Sequence, residues 1–133
     1  MKDNMKISSI KFEDIPENIL IEGKKHKLLF SKGDKANYFG GFINGTLVCL
    51  TCLVINGDKT ASIKSNFTLE EYRRKGYFSK LNRYCLDFAR KLGIKRILLN
   101  CLKDSRDIHL KHGARVWKTT KNIYWMIYDP GKY

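Results

Sequence analysis

Few short stretches of this chain carry side chains that could do chemistry, and the densest is Glu71 to Leu81, EYRRKGYFSKL. It sets Arg73, Arg74, Lys75 and Lys80 around a single glycine, Gly76. A glycine lets a bulky anion approach the backbone. At the start of a helix the first N–H groups lack internal partners and carry the positive end of the helix dipole. A pyrophosphate would suit that geometry. Basic first turns also occur on plain surface helices, so the spacing alone leaves both readings open.

A second candidate is C-L-T-C, Cys49 and Cys52. The pair lies in GTLVCLTCLVI, an apolar run that reads as a buried strand. On a strand, positions three apart point to opposite faces, so the two thiols diverge. No second C-x-x-C and no H-x-x-x-H supplies further ligands. With Cys85 and Cys101, these four are expected to be reduced core cysteines, and no metal is expected.

The whole chain bounds what these stretches can belong to. Its 133 residues suffice for one domain, 1–133, around one core. The composition, 43% hydrophobic and 12% aromatic, is that of a globular protein. No apolar run reaches the ~20 residues a membrane span needs. The start, MKDNMKISSI, lacks the apolar core of a signal peptide, so the cytoplasm is the expected location. Charge is the outlier: 26 Lys and Arg against 13 Asp and Glu, a net +13. Such a surface attracts polyanions, whether nucleic acid, anionic lipid or a phosphorylated cofactor.

The elements that must position the basic stretch follow from periodicity. Met5 to Phe12 alternates as a first strand, and Asp14-Ile15-Pro16-Glu17 opens a short helix. Residues 23–36 resist assignment. Tyr38 to Ile43 and Thr46 to Ile55 flank Asn44-Gly45, a hairpin signal. After a turn at Asn56-Gly57-Asp58, Thr60 to Phe67 alternates, placing Ala61, Ile63, Ser65 and Phe67 on one face. Beyond Gly76 the period becomes helical: Tyr77, Leu81, Tyr84, Cys85, Phe88 and Leu92, ended by Gly93. Arg96 to Leu102 reads as a buried parallel strand, completing a strand–helix–strand unit. Asp104 or Ser105 is expected to cap a helix through His112. Val116-Trp117 and Ile123 to Tyr128 supply final strands. The fold class is α/β (α+β), one mixed sheet of six to seven strands with an antiparallel N-terminal meander. Gly76 thus joins a strand end to a helix start.

In that context Arg73-Arg74-Lys75-Gly76-Tyr77-Phe78 resembles the R/Q-x-x-G-x-G/A acyl-CoA loop of the GNAT superfamily of N-acetyltransferases. Phe67-Thr68-Leu69-Glu70-Glu71-Tyr72 resembles the approach to that loop, and His109-Leu110-Lys111-His112-Gly113-Ala114 resembles the family's Y-x-K-x-G-F segment. The resemblance covers about Thr60 to Tyr128. It implies direct acetyl transfer from acetyl-CoA to an amine. The pyrophosphate would rest on backbone N–H groups from Arg74 to Ser79, beside Arg73. The pantetheine arm would pair with the backbone of Ser65, Asn66 and Phe67, and an N–H near Phe67 would meet the oxyanion.

The chain departs from the family pattern at four places. Phe78 replaces the last loop glycine. His109 stands where the family tyrosine protonates the departing thiolate, a task an imidazole of ordinary pKa suits. Leu102 replaces a frequent Asn. Lys64, and no carboxylate, lies on the central strand. The acceptor is expected to be a small amine or a protein lysine. The alternatives are a GNAT-fold enzyme modifying nucleic acid, and a non-catalytic basic binding protein. Tyr124, Trp125 and Tyr128 are expected in the core or at a homodimer contact, with base stacking as the alternative.

Overall fold

The computed structural model describes residues 4–25, 28, 30, 33, 35–57, 59–131 and 133. Its strands are β1 (Lys6–Ile10), β2 (Ala36–Ile43), β3 (Thr46–Gly57), β4 (Thr60–Thr68), β5 (Arg96–Cys101), β6 (Arg115–Thr120) and β7 (Ile123–Tyr128). Its α-helices are α1 (Glu17–Lys25), α2 (Tyr77–Lys91) and α3 (Lys103–Lys111). The strands form one sheet in the order β1-β2-β3-β4-β5-β7-β6. Neighbours are antiparallel except β4 and β5, which run parallel across the α2 crossover. The meander and the strand–helix–strand unit are therefore as expected. Asn44 and Gly45, at φ 50° and 80°, make the β2–β3 turn, because both central residues of that tight hairpin need positive φ. Much of the stretch 23–36 lies outside the described residues, as does Asp58.

Two apolar layers sandwich the sheet. One includes Phe39, Val48, Cys49, Leu53, Ala61 and Ile63, with Leu81, Cys85 and Ala89 of α2. The other holds Leu50, Cys52 and Phe67 with Ile15 and Ile19 at α1. Cys49 and Cys52 thus face opposite layers, as strand alternation requires. Burial pushes their thiols up to about 12 and about 11, which keeps them protonated at neutral pH.

Three sequence expectations are corrected. The first concerns β4. Ala61 and Ile63 pack in the α2 layer, but Phe67 packs in the α1 layer. The register with β3 slips between Leu50↔Phe67 and Cys52↔Lys64, and Ser65 has φ 59°. This is a β-bulge: one extra residue on β4 swaps the faces of everything beyond it. The second concerns α2, whose buried residues are Leu81, Asn82, Cys85, Leu86 and Ala89. Leu92 is exposed and Tyr84 partly so; the inward stripe is turned toward Asn82, a polar residue that an apolar count passes over. The third concerns α3, which starts after Leu102 with no side-chain cap. Asp104 lies within its first turn instead.

Candidate functional site

The bulge and the crossover meet at one place. Pairing between β4 and β5 runs only from Thr60↔Arg96 to Ser62↔Leu98, so the two strands part ways before the bulge. Past it, Asn66 accepts a hydrogen bond from Thr51 Oγ1 through its side-chain oxygen. Ser65 is buried, and Phe67 closes the α1 layer. A short 3₁₀ turn, Glu70–Tyr72, then leads into the basic loop.

The loop delivers an open helix end. Arg74 has φ 62° and Gly76 has φ 85° with ψ 1°, left-handed conformations that turn the chain into α2. Gly76 is the N-cap of α2, and no side chain caps the helix. Lys80 N–H is bonded to Gly76 O, so the first-turn donors of Tyr77, Phe78 and Ser79 precede the first helical bond. No acidic residue occupies that first turn. A Cβ built on Gly76 would meet nothing within 4 Å. Open space, unpaired donors and local positive charge converge here, which is the requirement for a pyrophosphate.

The cations flanking Gly76 do different things. Arg73 Nε donates to Thr68 O at 2.9 Å, and its guanidinium lies 5.9 Å from the Phe67 ring centroid. It therefore ties the loop to the end of β4. Lys75 Nζ sits 5.9 Å from the Tyr72 ring centroid. Arg74, Lys75 and Lys80 are exposed beside the helix end, free to add charge to it.

Phe78 and His109, the loop and helix departures from the family pattern, touch each other. Their rings meet edge to face, centroids 5.9 Å apart. His109 is fully buried, and its Nδ1 lies 2.7 Å from Tyr128 Oη. Burial, with His112 nearby, lowers its pKa to about 4. The reading of His109 as a solvent-facing helix residue fails at this position, and the ring's pKa is shifted below its ordinary value. Desolvation disfavours the charged ring, so His109 is neutral at pH 7.

Sequence reasoning missed several groups. A cavity of about 330 Å³ is lined by Glu22, Phe67, Leu69, Glu70, Glu71 and Arg73. It brings three carboxylates to the α1 side of the β4 end, where the central strand has none of its own. Asn82, His112 and Tyr128 form a polar chain behind the loop. A polar residue at an inward helix position and a second histidine three residues after the first were the available signals.

Residues 6–114 match the model of the acetyltransferase (GNAT) family. The chain belongs to that family. No curated protein sequence matches it significantly. Among solved structures it is similar to the ribosomal-protein-S18-alanine N-acetyltransferase of Escherichia coli, at 17% identity and TM-score 0.79, covering 96% of this chain and 94% of that one. It is also similar to an IAA acetyltransferase of Bacillus cereus, at 16% identity and TM-score 0.76, covering 95% and 99%. A third is the PaiA N-acetyltransferase of Thermoplasma acidophilum in complex with coenzyme A, at 15% identity and TM-score 0.72, covering 95% and 99%. At these identities the likeness is one of fold. No helix among the described residues is long and apolar enough to cross a membrane.

Proposed function

We propose that this chain is an acyl-CoA-dependent N-acetyltransferase that passes an acetyl group directly to an amine, a small amine or a protein lysine. The observation that carries the reading is the open N-terminus of α2 behind left-handed Gly76, set where β4 and β5 part. Backbone N–H groups from Arg74 to Ser79 would hold the diphosphate of acetyl-CoA, with Arg74, Lys75 and Lys80 adding charge. Arg73 fixes the loop. The bulged segment Ser65, Asn66 and Phe67 would flank the pantetheine arm and direct it toward the gap between the strands. A protein of similar fold has been solved in complex with coenzyme A, which supports acyl-CoA as the donor.

The acceptor would enter from the carboxylate-lined cavity. Glu70 and Glu71, with Glu22 paired to Lys25 at 3.2 Å, favour a cationic amine over an anionic acceptor there. Attack needs the free amine, and a carboxylate beside the cavity can take up the proton directly or through water. The proton-donor role expected of His109 is revised. A neutral ring closed off by Phe78 is a poor acid at pH 7, so the departing thiolate takes its proton from solvent.

Isothermal titration with acetyl-CoA tests the donor half of this reading, and thiol release with a panel of amines and lysine peptides tests the acceptor half. Micromolar binding and amine-dependent thiol release are expected. No binding at millimolar acetyl-CoA overturns the assignment.

A further inference from the structure

A buried chain of polar side chains runs behind the α2 N-terminus. Ser79 Oγ, in the first turn, lies 3.2 Å from His112 Nε2. His112 Nδ1 lies 2.8 Å from Asn82 Nδ2. The same amide nitrogen donates to Tyr128 Oη at 3.2 Å, and Tyr128 Oη lies 2.7 Å from His109 Nδ1. Asn82, His109 and Tyr128 are completely buried. Counting protons gives the chain a direction. An amide nitrogen has two protons to donate and accepts none, so His112 Nδ1 and Tyr128 Oη each accept a hydrogen bond from it, while Asn82 Oδ1 is buried with no hydrogen-bond partner among the described residues. The neutral His112 ring then carries its own proton on Nε2, which donates to Ser79 Oγ. Burial, together with Arg83 and Lys111, lowers the His112 pKa and favours that neutral ring. At the far end the Tyr128 hydroxyl donates a hydrogen bond to His109 Nδ1, so the proton of the neutral His109 ring sits on Nε2, which is buried with no hydrogen-bond partner among the described residues.

We propose that His112 and Asn82 are positioning residues that hold the Ser79 hydroxyl as a hydrogen-bond donor to the diphosphate of acyl-CoA. The proposal rests on the α2 N-terminus being the diphosphate site. A serine hydroxyl that rotates freely presents a proton to an anion in one rotamer and lone pairs in another. Here His112 engages a lone pair of Ser79, and the hydroxyl proton is left to point elsewhere. The proton order is thus set before the ligand arrives, which is what preorganisation contributes to binding. The chain also fastens the first turn of α2 to β7, through Tyr128.

The test is a double-mutant cycle on the full chain, with coenzyme A and diphosphate-free pantetheine as probes in isothermal titration. Ser79→Ala should weaken coenzyme A binding by about tenfold or more, the scale of one hydrogen bond to a charged group. His112→Phe should weaken it severalfold. The double variant should bind no worse than Ser79→Ala, because His112 acts through Ser79. Pantetheine affinity should be the same in all four proteins. Additive losses, or equal losses toward pantetheine, would overturn the positioning role. A wild type that binds no coenzyme A overturns the functional reading as well, whereas binding that His112→Phe leaves unchanged sinks the positioning role alone. Long-range ¹⁵N correlation spectra of the wild type give an independent readout. His112 should be protonated on Nε2 and bare on Nδ1, and the opposite tautomer would refute the stated direction.

Discussion

Helices α2 and α3 both begin without a side-chain cap, yet their first turns differ. The N-cap of α3 is Leu102, in extended conformation, and Asp104 follows within the first turn. A carboxylate there answers the positive end of the helix dipole from inside the chain. The N-cap of α2 is left-handed Gly76, no acid follows it, and three cations precede it. This end is left uncompensated, and its own flank adds to the positive potential. The difference teaches which helix end is structural and which is built for an anion that the chain does not supply. The sharpest way to break the comparison is to give α2 what α3 already has. Gly76→Asp puts a carboxylate at the site, and Gly76→Asn is its control, since both residues tolerate positive φ. Asp should cost at least ~100-fold in coenzyme A affinity, about 2.7 kcal/mol, while Asn keeps most of the binding. Titration calorimetry checks both, and equal affinities in the two variants would return the basic loop to a plain surface helix start.

Much of this contrast is legible in the sequence. The change from period two to helical period at Gly76, with its cations, located the open helix end. What the sequence hid depends on packing in three dimensions. The bulge at Ser65 leaves alternation in the burial pattern intact while moving Phe67 to the other layer. The carboxylates of Glu22, Glu70 and Glu71 come from α1 and the loop after β4, and nothing local marks them as neighbours. His109 was placed by family spacing, but its environment is set by Phe78 and Tyr128, one 31 residues before it and one 19 after.

That environment gives the next largest effect. A histidine whose folded pKa is about 4 against about 6.5 unfolded binds fewer protons when folded. Its contribution to stability is fully present above pH 6.5 and is lost as pH falls through 4, in total about 3 kcal/mol. His112, whose pKa is also lowered, acts in the same sense. The wild type should therefore lose thermal stability steeply between pH 6.5 and 4. His109→Phe should flatten that profile. It should also lower Tm at pH 7, since the Tyr128 hydroxyl loses its acceptor, a cost of about 1–3 kcal/mol. Its kcat should stay within ~10-fold of wild type. A fall of ~100-fold or more, the scale of a lost general acid, would restore His109 as the proton donor.

A smaller effect separates the two ends of β4. Thr60 to Ser62 lie in regular ladder with β5, while Ser65 sits at φ 59°. A β-branched residue fits the first segment and strains the second. Ser65→Val should destabilise by about 1 kcal/mol or more, because a β-branched side chain tolerates the left-handed conformation less well than serine does, whereas Ser65→Gly removes the Cβ and should be the more stable of the two variants. Urea midpoints measure this directly. If the bulge also directs the pantetheine arm, Ser65→Val should weaken binding of acetyl-pantetheine as well. Equal midpoints for the two variants would mean that the bulge stores no strain.

The smallest expected effect concerns what the excess charge is for. Through Tyr72 the chain has 10 Lys and Arg against 9 Asp and Glu; from Arg73 onward it has 16 against 4. Nearly all of the net charge belongs to the half that carries the α2 N-terminus. Of its four acids, Asp87, Asp107 and Asp129 already pair with Arg83 and Arg90, Arg106, and Arg115. Most of the remaining cations are exposed, and a diphosphate with a few negative charges needs only those near Gly76. Self-repulsion of the rest costs stability, which a polyanion would relieve. This half should therefore bind unrelated duplex DNA weakly at 50 mM salt. The slope of log K against log salt should be about −3 or steeper, since each neutralised phosphate adds about −0.9. Reversing Lys118 and Lys121 to Glu, at the β6–β7 hairpin on the edge of the sheet, should reduce that slope by about 2 and leave coenzyme A affinity unchanged. A slope near zero in the wild type would confine the role of the charge to the cofactor, and a small amine or protein lysine would then stand without a nucleic-acid rival.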